Sequence, residues 1–266
     1  MERHLGFGIT AQRDPAGVGV ARLAAGLEAL GYDELWANDG RLGSGLATLA
    51  AAMGESSRLD LCLGVAPLSE RTAAEIAAQV AELGIRHARL VLGVGTGAGS
   101  SLATVREAVA ELRRLLPDVR VAIAALGPRM CALGGEIADV VLLNWSYPDR
   151  IAWSRERIAE GVATAGRPMP RVAGYVRVAI GPDAPARLAA EGERYRARPR
   201  PYTRLLDAQD TTKRGVPGVA VVDATKVSAL LATYREALDS CVVRALTAEP
   251  GADGWLAIAA AATLRA

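Results

Sequence analysis

Residues able to hold a charged or flat ligand fall in four short stretches of this chain. Val119–Trp145, VRVAIAALGPRMCALGGEIADVVLLNW, packs strand, turn, helix and strand together. Its first piece, VRVAIAAL, is an apolar, β-branched run of the kind buried on both faces in a parallel sheet. Gly127-Pro128 stops it, since glycine admits a ligand close to the backbone and proline suits the first position of a helix. Amides of that first helical turn have no internal partner. The turn therefore either receives a phosphate or carboxylate or is the plain tight turn of a βαβ unit. The next run, ADVVLLNW, ends on Asn144 and Trp145, a polar group beside a flat apolar wall. Trp36, near the end of another predicted strand, reads in the same two ways as Trp145: a wall of a substrate pocket, or packing.

The other three stretches are loops at strand ends. Gly93-Val94-Gly95-Thr96-Gly97-Ala98-Gly99-Ser100 precedes a helix and fits G-x-G-x-x-A loosely. No acidic residue ends a following strand at the distance a dinucleotide site requires, and no Gly-Lys-Ser/Thr follows, which excludes a P-loop. What remains is a glycine-rich loop with exposed amides, suited to phosphate or a flat ring. In Asn38-Asp39-Gly40, Asp39 either accepts a hydrogen bond from a ring or substrate or closes a turn. Gly64-Val65, with Pro67 close behind, marks a bulge or a close backbone approach.

Acid–base machinery is sparse. His4 and His87 are the only histidines, and neither lies at metal spacing with Cys, Asp or Glu, so no metal site is expected. No Gly-x-Ser-x-Gly elbow occurs. This favours a site where a cofactor carries the chemistry. Cys62, Cys131 and Cys241 are odd in number and sit in or next to apolar runs, so they read as small buried hydrophobes in a reducing compartment. The net charge of +2 points to neither nucleic acid nor a membrane. No apolar run reaches the roughly 18 residues of a spanning helix. MERHLGFGIT lacks the apolar core of a signal peptide, so a cytoplasmic protein is expected.

These candidates must be positioned by alternating elements. Strands are predicted near 5–10, 33–37, 59–65, 89–95, 119–125, 138–144, 172–180 and 240–246, with helical patterns such as 20–31, 70–84 and 101–116 between them. Eight β/α units in 266 residues predict one domain over 1–266, a (β/α)8 TIM barrel, with a doubly wound open sheet as the alternative. About 182–221 reads as irregular. There Arg194, Arg196, Arg198, Arg200 and Arg204 form either a solvated helix end or an arm that binds an acidic group. Alanine-rich apolar helices leave room for a homodimer face.

GYDELWANDG (31–40), LGVAPLSERTAAEIAAQVAEL (63–83), RLVLGVGTG (89–97) and AALGPRMCALGGEIADVVLLNW (124–145) stand in one order. In that order the chain resembles the bacterial luciferase-like flavin oxidoreductases, and more closely the branch that depends on coenzyme F420, a deazaflavin. The resemblance spans most of 1–180. It implies a luciferase-like barrel with a flavin-type ring across the strand ends. It also implies a backbone support at Gly64-Val65, often a cis peptide, and ribityl and phosphate contacts at Gly95, Thr96, Ala125, Leu126 and Gly127. Asp39 matches a polar residue facing the cofactor and is the candidate catalytic group. Alcohol-oxidising members often carry a His directly after it, where this chain has Gly40. Hydride addition to an activated double bond or imine is therefore expected rather than abstraction from an alcohol, with the proton from Asp39, Tyr147 or solvent. An FMN-dependent monooxygenase using dioxygen and a flavin-binding barrel without catalysis are the alternatives. A small organic molecule is the expected substrate.

Overall fold

Each of the eight predicted apolar runs forms a strand, and every pairing between them is parallel. They are β1 (His4–Thr10), β2 (Glu34–Asn38), β3 (Asp60–Pro67), β4 (Leu90–Gly95), β5 (Arg120–Ala125), β6 (Val140–Asn144), β7 (Arg171–Ile180) and, after a short extra strand β8 (Val219–Val221), β9 (Ser240–Ala245). β9 pairs with both β1 and β7, and β7 pairs with β6, so the sheet closes on itself. The result is a (β/α)8 barrel, and the open-sheet alternative falls because no barrel strand is left with an unpaired edge. The computed structural model describes residues 3–40, 43–97, 101–197 and 200–264.

Around the barrel run α1 (Val20–Ala29), α2 (Gly45–Ala52), α3 (Ala73–Glu82), α4 (Leu102–Leu115), α5 (Pro128–Ile137) and α6 (Pro148–Ala165). The helix faces follow from local sequence. α1 buries Val20, Leu23, Ala24 and Leu27, spaced as one helical stripe. α3 starts at Thr72 in a capping box with Glu75, so Glu70 and Arg71 of the predicted helix lie in the turn before it. α5 and α6 cross at glycine: a Cβ at Gly135 would stand 2.0 Å from the Ile158 carbonyl, and one at Gly161 1.9 Å from that of Ala132.

Alternation decides what fills the barrel. Trp36, Cys62, Val91, Ala122, Leu142 and Tyr175 point inward and form its central plug, while the other strand faces pack against the helices. Below the plug, the buried Glu34 accepts from Trp36 Nε1 at 2.7 Å and Ser240 Oγ at 2.5 Å and pairs with Arg171 at 2.9 Å. The three cysteines are buried and free.

The stretch expected to be irregular is mostly ordered. α7 (Ala184–Arg196), α8 (Arg200–Asp207) and α9 (Thr211–Arg214) fill it before β8, which pairs with the outer end of β7. Leu188, Leu205 and Leu206 close over Trp145 in a small separate core, and these few apolar residues among many arginines hold the helices down. α10 (Val227–Ala237) precedes β9, and α11 (Ala252–Thr263) follows it. No helix of the described residues is long and apolar enough to cross a membrane.

Candidate functional site

Barrel enzymes build their sites where the strands end, and the candidates converge there. At the centre lies the peptide Gly64–Val65, which is cis, and the pairing of β3 with β4 shifts register between Leu63 and Ala66. Tyr175 supports it from β7, its hydroxyl donating to the Gly64 carbonyl at 2.9 Å. Trp36 stands edge-on to Tyr175, with 6.1 Å between ring centroids. A Cβ at Gly64 would lie 2.4 Å from the Tyr175 hydroxyl and 2.6 Å from Trp36. The backbone therefore rests directly on this aromatic pair, a close approach only glycine permits. Burial pushes the Tyr175 phenol far above its usual value, so it stays protonated as a donor.

Trp36 thus differs from its expected place on a pocket wall. Residues 34, 36 and 38 of β2 all face inward, and only Asn38 reaches the rim; Trp36 lies fully buried one layer lower.

On one side of this floor lie the loops after β4 and β5. Gly95 lies against Val65, its carbonyl accepting from the Leu68 amide at 2.9 Å, and Thr96 beside it is half-buried. Residues 98–100 of the glycine loop lie outside the described residues. Ala125 ends β5, and the Leu126 carbonyl accepts from Arg150 Nη2 at 3.2 Å. Gly127 caps α5 with no side-chain hydrogen bond, and Pro128 takes the first helical position as the sequence predicts. A Cβ on Gly127 would meet no atom within 4 Å.

The polar candidates are more engaged than their types suggest. Asp39 Oδ1 accepts from the Gly45 amide at 2.7 Å, at the start of α2, and Oδ2 from Arg71 Nη1 at 2.8 Å. Arg71 donates in turn to Gln79 Oε1 at 2.6 Å. Asp39 is therefore a clamp between the loops after β2 and β3. The Tyr147 hydroxyl donates to the carbonyls of Arg214 and Gly215 at 3.0 and 3.1 Å, tying α6 to α9. Trp145 is fully buried under Tyr195, Leu188 and Leu205 with φ 52, so its face does not line an open pocket either. In the arginine cluster, Arg194 bonds Glu191, and Arg196 bonds Asp207 at 2.6 Å. Arg198 lies outside the described residues.

Three residues absent from the sequence reading complete the mouth: Tyr175, Arg177 and Arg244. Arg177 and Arg244 are 1% and 8% exposed and pair in register across β7 and β9. Arg244 Nη2 donates to Thr10 Oγ1 at 2.7 Å and Asn38 Oδ1 at 2.8 Å. Arg177 bonds Asn144 Oδ1, with its guanidinium carbon 3.8 Å from the centre of the Trp145 ring. The available signal was an arginine set among apolar residues toward the C-terminal end of each of two strands, YVRVAI and SCVVRA.

A closed parallel sheet with helices between its strands places the chain among the (β/α)8 barrels. The family is narrower: a luciferase-like monooxygenase model matches residues 8–116 and 100–217, and the chain belongs to that family. The 5,10-methylenetetrahydromethanopterin reductase of Methanolobus tindarius is 28% identical over 203 residues, covering 62% of each chain. The chain thus matches less than two thirds of that relative's length. Among solved structures, the coenzyme F420 dependent tetrahydromethanopterin reductase of Methanopyrus kandleri superposes with a TM-score of 0.76 at 17% identity, covering 97% of this chain and 98% of that one. An F420-dependent secondary alcohol dehydrogenase holding an F420-acetone adduct also gives 0.76 at 17% identity, covering 98% and 99%.

Proposed function

We propose that the chain is an oxidoreductase that binds a flavin-type cofactor, coenzyme F420, at the barrel mouth and passes hydride to a small organic acceptor. One observation carries this reading: a floor suited to a flat ring and a helix start suited to a phosphate face the same mouth. Gly127 tests the fit, because the space above it is open and the first-turn amides of α5 have no capping side chain. Gly64, Val65, Gly95 and Thr96 would hold the ring and its chain, with Ala125, Leu126 and Gly127 at the phosphate. When bound, the cofactor supplies the hydride. Two of the structures the chain superposes on are described as F420-dependent, which supports F420 over FMN.

The chain's own residues bind, orient and exclude water. Tyr175 and Trp36 fix the height of the floor, and the helices over Trp145 cover one side of the mouth. Asp39 is assigned a positioning role, holding Arg71 and the start of α2. With both its oxygens engaged, and with the Tyr147 hydroxyl bonded to two carbonyls, solvent supplies the proton that completes reduction.

Titration of purified protein with coenzyme F420, followed by quenching of its fluorescence, tests the reading. Saturable binding is expected. No binding to F420, with turnover-dependent dioxygen uptake from reduced FMN, would replace it by a flavin monooxygenase.

A further inference from the structure

Arg177 and Arg244 are buried cations, and among the described residues neither guanidinium has a carboxylate within ion-pair distance. Glu191, whose charge reaches Arg177, is taken by Arg194. Their neutral partners, Asn144 on one side and Thr10 and Asn38 on the other, satisfy only part of each five-donor fork. Arg177 Nε, Arg244 Nη1 and the neighbouring Trp145 Nε1 are buried with no acceptor at all. Two like charges in register, both removed from water, oppose each other as well as the burial. Accordingly, burial pushes the Arg177 guanidinium below its usual value, and Arg244 pushes it the same way. Such an arrangement persists when something else repays it, and an anion seated between the two forks would do so.

We infer that Arg177 and Arg244 form a carboxylate-binding pair, so that the hydride acceptor is a small organic acid. The inference rests on the oxidoreductase reading for the word acceptor, but the pair stands without it. Position separates this anion from the cofactor's phosphate, which the α5 start would receive on the β5 side. The arginine pair lies on β7 and β9 instead. Arg177 stands two residues above Tyr175 on the same strand face, about 6–7 Å toward solvent. A carboxylate there would sit just above the floor that Tyr175 supports at Gly64, beside a ring lying on it. A planar anion suits the pair, because a guanidinium is a flat fork that matches two coplanar oxygens, and Arg177 is held against the Trp145 ring.

The test uses the full chain without cofactor, with acetate, fumarate and benzoate as probes and dimethyl fumarate and inorganic phosphate as controls. At least one carboxylate should bind saturably by calorimetry and raise the melting temperature, while dimethyl fumarate does neither. Arg177→Met should weaken that binding by about tenfold or more, the usual loss for one charge-assisted pair. Because it removes an uncompensated buried charge, it should melt no lower than the unliganded parent. Arg244→Gln provides a second variant with the same expected loss. F420 affinity, measured separately by fluorescence, should change by less than about twofold in both variants, a shift worth under a third of a tenfold step. The assignment is overturned if no carboxylate binds the parent, or if phosphate binds in their place. It is also overturned if both variants melt lower and bind carboxylate unchanged, or if both lose F420 instead. Failure of the parent to bind F420 would sink the proposed function alone, since the carboxylate measurement needs no cofactor.

Discussion

Replacing Gly127 with valine separates a phosphate cradle from a plain turn. The backbone there is extended, at φ −118 and ψ 170, which β-branched residues adopt without strain, and an added Cβ meets no protein atom within 4 Å. The folding cost is then only the poorer helix cap, about 0.5–1 kcal/mol, or about 1–4 °C in Tm for a chain of this size. The cost to binding should be larger. The two methyl groups would occupy the space over the first-turn amides of α5 and displace an anion from at least one charge-assisted hydrogen bond. That loss is about 1.5–3 kcal/mol, or about 10- to 150-fold in Kd for coenzyme F420. Gly135→Ala is the contrast, because its Cβ would stand 2.0 Å from the Ile158 carbonyl and force α5 from α6. It should lose about 1–3 kcal/mol or more of stability and leave the affinity of the folded protein intact. Paired melting curves and fluorescence titrations read both effects. If Gly127→Val binds F420 within twofold of the parent, the phosphate does not sit at α5, and the cofactor placement fails.

Other perturbations follow from named contacts. Glu34→Gln strips the charge from a fully buried carboxylate paired with Arg171, and should cost roughly 3–5 kcal/mol in denaturant melts; a loss below about 1 kcal/mol would contradict a working pair. Tyr175→Phe removes the donor to the Gly64 carbonyl and should cost about 1–3 kcal/mol while weakening F420 binding; unchanged affinity would remove the floor from the cofactor site. Asp39→Asn should alter KM more than kcat, since the residue positions Arg71; a drop of about 100-fold in kcat at constant KM would make it a catalytic group after all. The hydroxyl of Ser56, followed by contacts from Ser57 and Arg58, holds the Glu28 carboxyl at about 2, below its ordinary 4.5. The stability it adds is therefore present above about pH 4.5 and fades as pH falls toward 2, and Glu28→Gln should flatten that acid limb of the Tm profile.

Strand order and helix faces were legible because burial on both sides of a parallel strand leaves continuous apolar runs, and amphipathic stripes mark the helices between them. The loops at Gly64, Gly95 and Gly127 were legible for a related reason: glycine and proline interrupt those runs where the chain turns. The segment after β7 was not. Leu188, Leu205 and Leu206 are too few and too widely spaced to give a period, and their partner is Trp145 rather than the barrel. α7 is further masked by polar pairs such as Arg194 with Glu191, which make a packed helix look like solvated chain.

The mouth was harder to read because the role of a strand residue depends on its layer, and layer is set by barrel stagger rather than by neighbours in sequence. Trp36 and Asn38 point the same way from β2, two residues apart. The first became part of the plug under the floor, and the second became a partner of Arg244 at the rim. Tyr175 and Arg177 stand in the same relation on β7, one beneath Gly64 and one above it. An arginine on the inward face of a strand whose neighbours all read as core contradicts its surroundings, and that contradiction marks function more sharply than any glycine loop. Two such residues, in register on adjacent strands and with no carboxylate between them among the described residues, describe a site by what it lacks: a negative charge supplied from outside the protein.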